Sequence, residues 1–407
     1  MAVPLIQKLR KTWESIPQQM RLFALDIVTI VAVTIALAIA MGADQGDMVE
    51  TPPLLDAVHA SSFADGAYAE EVEPELDAKL GAGWEDDAEN REVPEDDGHD
   101  GRGGRHVESE DRIVADAQAV DKAPGGEGVF LFDGDSGESR ALSAEEAPRL
   151  TEAVDRFREA DSEVGFVMYD FKTGRGIVGN ADRPFFSAST VKAPYAAYVL
   201  QDEVEGGAAS LDDMIEEDVV VDGTGVMAFD DESEYRLQDV VAETIDHSDN
   251  TGYALLRERF GEEGFAVWCA RVGVESSGWE GMDYPWYSPR DLAKLWLGVG
   301  GYVRGGTPSA LWLGDTLQLS DRSFLREALG SGASVMSKPG YEIASWAGTA
   351  SALNDAGVVV SDTGAFVVVI MSDADYDDQY FLDNEDLIVG LAQAVSEARD
   401  EVLLSER

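Results

Sequence analysis

The sequence predicts an α+β fold in which an antiparallel sheet is flanked by helices. Val164 to Tyr169 and Gly174 to Gly179 are strand-like runs separated by Asp170-Phe171-Lys172-Thr173-Gly174, a turn, so the two form a hairpin. Near the end of the chain, Asn354 to Val360 and Ala365 to Met371 are short apolar runs of the kind found in buried strands. Between these two groups lie segments with helical spacing and helix-start signals.

Taken in order, the folded part opens near Gly128 with a strand, Gly128 to Asp133, before a glycine-rich turn. Ser143-Ala144-Glu145-Glu146 is a capping-box pattern, and Leu150, Val154 and Phe157 follow at helical spacing, which predicts a helix starting there. In the hairpin turn, Gly174 supplies positive φ, so its Lys172-Thr173-Gly174 is turn chemistry. Phe185 to Tyr195 contains a helix start. After an acidic stretch from Asp202 to Glu234, Tyr235 to Ile245 is expected to be a helix. Another runs from Gly261 to Val272 and buries Cys269 in the apolar run Phe265 to Ala270. Ser288-Pro289 begins the next, with proline just inside its start. Val335 to Tyr341 is expected on a sheet edge, because Pro339 is tolerated hardly anywhere else in a sheet. Glu385 to Leu404 is the closing helix.

The chemistry concentrates at Ser189 and Lys192. Three residues apart on a helix they share a face, so the amine can take the hydroxyl's proton if burial or nearby cations lower its pKa. A serine in the first helical turn also presents its own N–H to a developing oxyanion. Downstream lie Ser248-Asp249-Asn250 and then Lys338-Pro339-Gly340. With Ser189-Thr190-Val191-Lys192, these resemble in order and spacing the S-x-x-K, S-D-N and K-T-G motifs of class A β-lactamases and the wider penicillin-recognising serine hydrolases.

The resemblance covers roughly residues 160 to 405. It implies the β-lactamase and transpeptidase-like fold, with an all-helical subdomain. It also implies that Ser189 attacks an amide, Lys192 is its base, and Ser248 and Lys338 handle the leaving group. Asn250 would hold the acyl amide, Gly340 would line the cleft, and the N–H groups of Ser189 and Tyr341 would bind the oxyanion. Asp249 is expected to brace its loop. His247 is the only histidine in the folded part, and its place beside Ser248 suits packing better than a triad.

Three departures from the family pattern bear on turnover. Glu280 follows a tryptophan, as the family's deacylating glutamate often does, yet the residue four further on is Tyr284 where the family has asparagine. Glu280 is therefore the candidate deacylation base, without its usual partner. Pro339 removes both an N–H and the threonine hydroxyl that would grip a substrate carboxylate. From Pro339 to Ala398 there is no lysine or arginine, so a carboxylate-binding cation would have to be Arg290, Arg304 or an unforeseen residue.

The formal charge of -50, from 80 acids against 30 basic residues, repels nucleic acid and excludes it as a partner. A single cysteine excludes internal disulfides and a cysteine metal cluster. His59, His99 and His106 are scattered and given no metal role, so neither metal nor organic cofactor is expected.

Residues 1–21 carry Lys8, Arg10, Lys11 and Arg21, and residues 22–43 are apolar enough to span a bilayer, which takes about 20 residues. Basic residues before the span and acids after it orient the remainder outside the membrane. A cleaved signal peptide is the rival, with Ala38-Ile39-Ala40 as its site. Residues 44–126 are acidic and poor in aromatics and read as a disordered tether, leaving 127–407 as the hydrolase domain. The expected substrates are β-lactams or cell-wall peptides. A cell-wall D-Ala-D-Ala-type peptidase or transpeptidase and a non-catalytic wall-binding module of the same fold remain open.

Overall fold

Apolar runs from the two ends of the folded part meet in one sheet. The computed structural model describes residues 103–276, 281–343, 350–376 and 384–405. The expected anchor at 22–43, and the expected tether as far as residue 102, lie outside them.

The strands are β1 (Val129–Asp133), β2 (Ser139–Ala141), β3 (Val164–Asp170), β4 (Arg175–Gly179), β5 (Phe185–Phe186), β6 (Met214–Glu216), β7 (Glu234–Arg236), β8 (Trp286–Tyr287), β9 (Ala333–Glu342), β10 (Ala352–Ser361) and β11 (Gly364–Ser372). The main sheet has the order β2-β1-β4-β3-β11-β10-β9, with antiparallel pairing throughout. β9 is an edge, as Pro339 required.

The helices are α1 (Gly103–Asp121), α2 (Pro148–Glu159), α3 (Lys192–Tyr198), α4 (Leu237–Asp246), α5 (Asn250–Phe260), α6 (Glu263–Arg271), α7 (Pro289–Arg304), α8 (Pro308–Leu319), α9 (Phe324–Leu329) and α10 (Glu385–Ala398). Side chains alternate across each strand, and both faces of the sheet are covered. Val167, Tyr169, Val358, Val367 and Val369 point into a core shared with the helical lobe from α3 to α8. Phe166, Met168, Val359, Val368 and Ile370 point into a second core beneath α2, α9 and α10. Burial on both sides explains why β10 and β11 read as continuous apolar runs.

The hairpin turn is tied to the closing helix by a buried ion pair. Arg399 Nε donates to Asp170 Oδ2 at 2.8 Å, and Asp170 Oδ1 accepts from the Thr173 N–H at 2.8 Å, so Lys172-Thr173-Gly174 is indeed turn structure.

Three boundaries differ from expectation. α1 falls inside the stretch read as tether, so the folded part begins well before residue 127. Ile113 of α1 fills the space left by Gly301 of α7, where a Cβ would lie 2.0 Å from its Cδ1. The buried Lys294 of α7 donates to Asp121 Oδ1 at 2.9 Å. The Ser143–Glu146 box does form, with the Ser143 N–H donating to Glu146 Oε2 at 3.0 Å, but it closes a turn ahead of α2. Pro148 sets that start, because proline disfavours helical geometry in the residue before it. Tyr235 belongs to β7, and α4 starts at Leu237.

Candidate active site

Ser189, the candidate nucleophile, sits on a sharp turn fixed from the sheet. Ala188 has φ of 43°, a costly conformation for a residue with a Cβ, and turns the chain from β5 into a short 3-10 turn, Ala188–Val191, that α3 continues. Asn354 of β10 holds that turn. Its Nδ2 donates to the carbonyls of Phe186 at 2.8 Å and Ser187 at 3.3 Å, while its Oδ1 accepts from the Ser372 N–H at 2.9 Å. Ser189 stays partly exposed on the turn, and Lys192 is wholly buried behind it.

β9 runs beside this turn, and Gly340 makes the approach possible. A Cβ there would stand 2.7 Å from Ser187 O and Thr190 N and 2.8 Å from Ser189 N. Pro339 has no N–H for β10, so its nitrogen faces the open side of the edge strand. Tyr341, two residues on and paired with Leu353, aims its N–H the same way, as an oxyanion donor must. The Tyr341 ring packs on Tyr376 and Phe324, at 4.5 Å and 6.2 Å between centroids. Arg322 lies over it, partnered by Glu385 and Tyr376.

The third motif arrives on the loop between α4 and α5. Lys192 Nζ donates to the Ser248 carbonyl at 2.5 Å and Asn250 Oδ1 at 2.8 Å, and lies 3.4 Å from Ser248 Oγ. Ser248 has φ of 55°, a second strained residue at the site. Asp249 braces the loop as expected. It caps α5 through the Gly252 N–H at 2.8 Å and accepts the N–H groups of Val226 and Met227 at 2.6 Å and 2.8 Å.

Electrostatics separate the two lysines from ordinary surface amines. Burial, then the charge of Lys338, push the Lys192 pKa well down, against a smaller pull from Asp249. Burial lowers Lys338 to about 8, opposed by Asp355, Asp246 and Asp321. His247 has carboxylates at both ring nitrogens, Asp321 Oδ2 at 2.5 Å from Nδ1 and Glu243 Oε2 at 3.7 Å from Nε2. Burial would lower its pKa, yet the bonded Asp321 and nearby Glu243 outweigh that and leave it raised. Both ring nitrogens thus face carboxylates, which favours the charged imidazole.

Several site residues escaped the sequence reading. Thr224 Oγ1 donates to the Ser248 carbonyl at 2.6 Å. Its neighbours Gly223 and Gly225 have positive φ, and a Cβ on them would stand 2.5 Å from Asn250 Nδ2 and 2.1 Å from Asp249 Oδ2. A Gly-x-Gly inside an acidic stretch is the signal that could have shown this close approach. Tyr284, noted in the sequence only as the residue in place of an asparagine, donates to Asn250 Oδ1 at 2.8 Å. Glu280 lies outside the described residues.

Neither suggested arginine is placed to receive a substrate carboxylate. Arg290 Nε donates to Asp182 Oδ1 at 2.6 Å and Nη2 to Ala123 O at 2.7 Å. Arg304 is at the far end of α7, about 22 Å from Pro289 by helical rise.

Comparison with known proteins bears on the fold and the family. No curated protein matches the chain. Among solved structures, PBP-A is similar at 22% identity and a TM-score of 0.52, over 63% of this chain and 97% of that one. A PBP-A variant in acyl-enzyme complex with penicillin-G matches at 22% and 0.51, over 64% and 97%. A β-lactamase from Sphaerobacter thermophilus matches at 23% and 0.51, over 64% and 99%. These likenesses establish the β-lactamase and transpeptidase-like fold. Residues 148–398, more than half of the chain, match the Beta-lactamase2 family of β-lactamase enzymes, and the chain belongs to that family.

Proposed function

We propose that this protein is a serine hydrolase acylated at Ser189 by β-lactams or by cell-wall amides of similar shape. The observation that carries the reading is Lys192. Its buried amine is held beside Ser248 and Asn250, one helical turn from a serine whose backbone is pressed against Gly340. Ser189 Oγ bonds to the amide carbon as its proton passes to neutral Lys192. The oxyanion is held by the N–H groups of Ser189 and Tyr341. The C–N bond then breaks as Ser248 relays a proton to the leaving nitrogen, with the Lys338 charge at its side, and an ester remains on Ser189. Asn250 orients the acyl group.

Two features favour acyl-enzymes that hydrolyse slowly, as in a cell-wall peptidase or transpeptidase. Pro339 takes the place of a hydroxyl that would grip a carboxylate, and Tyr284 stands where the family carries asparagine. The apolar run at 22–43 supports a membrane anchor that holds the domain outside the cell.

Intact-mass analysis with benzylpenicillin tests the reading. Wild type should gain one penicilloyl group and Ser189→Ala none. An adduct of the same size and rate on Ser189→Ala would refute it.

A further inference from the structure

Residues 281–287 carry a side chain for which the acylation chemistry has no use. The Tyr284 ring lies 5.8 Å from Lys192 Nζ, 5.5 Å from the Tyr253 ring and 6.4 Å from the Phe186 ring. Its hydroxyl donates to Asn250 Oδ1, which also receives Lys192. The backbone around it is held on both sides. The Ser187 N–H donates to Pro285 O at 3.0 Å, Phe186 pairs with Trp286, and Tyr253 OH donates to Asp283 O at 3.1 Å. The ring thus fills the corner between the base, the amide-binding Asn250 and the chain entering the nucleophile turn.

Hydrolysing the Ser189 ester requires a water beside the ester carbon and a base to take its proton. The new C–O bond forms, the C–Oγ bond breaks, and the proton returns to Oγ. Among the described residues, three carboxylates act electrostatically on Tyr284: Asp283, Glu342 and Asp249. Asp283 is bonded to Arg257, Glu342 Oε1 accepts the Ile343 N–H at 3.0 Å, and Asp249 caps α5. The phenol offers no substitute, because burial first and Asp283 second raise its pKa and keep it a donor.

We propose that Tyr284 determines turnover, its ring occupying the space from which water would reach the Ser189 ester, so that the acyl-enzyme is long-lived. This rests on the acylation reading above. The full-length chain is acylated with benzylpenicillin and freed of excess antibiotic, and loss of the adduct is followed by intact mass. Wild type and Tyr284→Phe should hold the adduct for minutes or longer, and Tyr284→Ala should lose it at least tenfold faster, since Lys192, neutral again after acylation and 5.8 Å from the ring, takes the proton of a newly admitted water, help worth about a hundredfold or more.

Hydroxylamine supplies a variant-free measurement. It should strip the adduct from denatured wild type much faster than from folded wild type. Equal stripping of folded and denatured protein, Tyr284→Ala decaying no faster than wild type, or Tyr284→Phe decaying as fast as Tyr284→Ala would each overturn the proposal. A wild-type adduct lost within seconds would overturn it and leave acylation standing. No adduct at all on wild type would remove both.

Discussion

Lys192 and Lys338 are both buried, and the charge of Lys338 acts on Lys192, so the protonation of Lys338 constrains that of Lys192. A base for Ser189 must be neutral, whereas a cation beside the leaving group must be charged. For both roles to hold at one pH, Lys192, pushed well down by burial and by Lys338, must lose its proton before Lys338 does, and the acylation rate climbs as it does so. Lys338, lowered by burial to about 8, loses its proton next, and the rate falls. The acylation rate should therefore be bell-shaped in pH, with its alkaline limb near 8. Lys338→Met should remove that limb. By taking away a positive charge it should also raise the Lys192 pKa and move the acid limb to higher pH. Rates of adduct formation measured from about pH 5 to 10 decide the matter. A flat profile, or an acid limb unchanged in Lys192→Ala, would refute these roles.

Single elements show what a sequence can and cannot disclose. Pro339 disclosed that β9 is an edge strand, because a missing N–H is tolerable only there. The pairing of Ser189 with Lys192 was equally local, a matter of one helical turn. The contact of Gly340 with the turn from Ser187 to Thr190 is different, since it joins residues far apart in the chain and depends on β10 carrying both Gly340's register and Asn354's side chain. Tyr284 was visible as a substitution, but its bond to Asn250 required the fold. The same distinction yields a test. Gly340→Ala puts a methyl group into backbone that cannot yield cheaply, so β9 and the nucleophile turn must separate, while the ten-residue pairing of β9 with β10 keeps the strand in place. Acylation should fall by about a hundredfold, the usual penalty for a misplacement near 1 Å, and stability by only about 1–3 kcal/mol. Wild-type acylation kinetics in this variant would show that the close approach does not matter.

At the scale of the whole molecule, the charge that makes the N-terminal region look like a tether hides where folding begins. α1 has few apolar residues, and Ile113, Ala117 and Val120 are too small or too sparse to outweigh its acids in a reading of composition. Its helix is stabilised by what it meets. Ala117, Ala119 and Val120 are buried, Tyr169 OH of β3 donates to Asp116 at 2.8 Å, and Lys294 and Arg290 of α7 find Asp121, Val120 O and Ala123 O. A chain beginning at residue 127 would keep every catalytic candidate yet take from Lys294, whose side chain is only 5% exposed, its carboxylate partner Asp121, and from Arg290 two of its carbonyl acceptors, leaving it Asp182. Breaking a fully buried ionic contact costs about 3–5 kcal/mol, and the cost here is smaller, because Asp121 is half-exposed and Lys294 keeps the Gly273 carbonyl at 2.7 Å. Residues 127–407 should accordingly unfold at a clearly lower urea concentration than residues 103–407, or fail to fold. Ile113→Asp in the longer chain should move the midpoint part of the way, since it removes the group seated on Gly301 without touching either cation. Coincident urea midpoints for the two lengths would mean that α1 is a passenger, and that the domain begins where composition alone would put it.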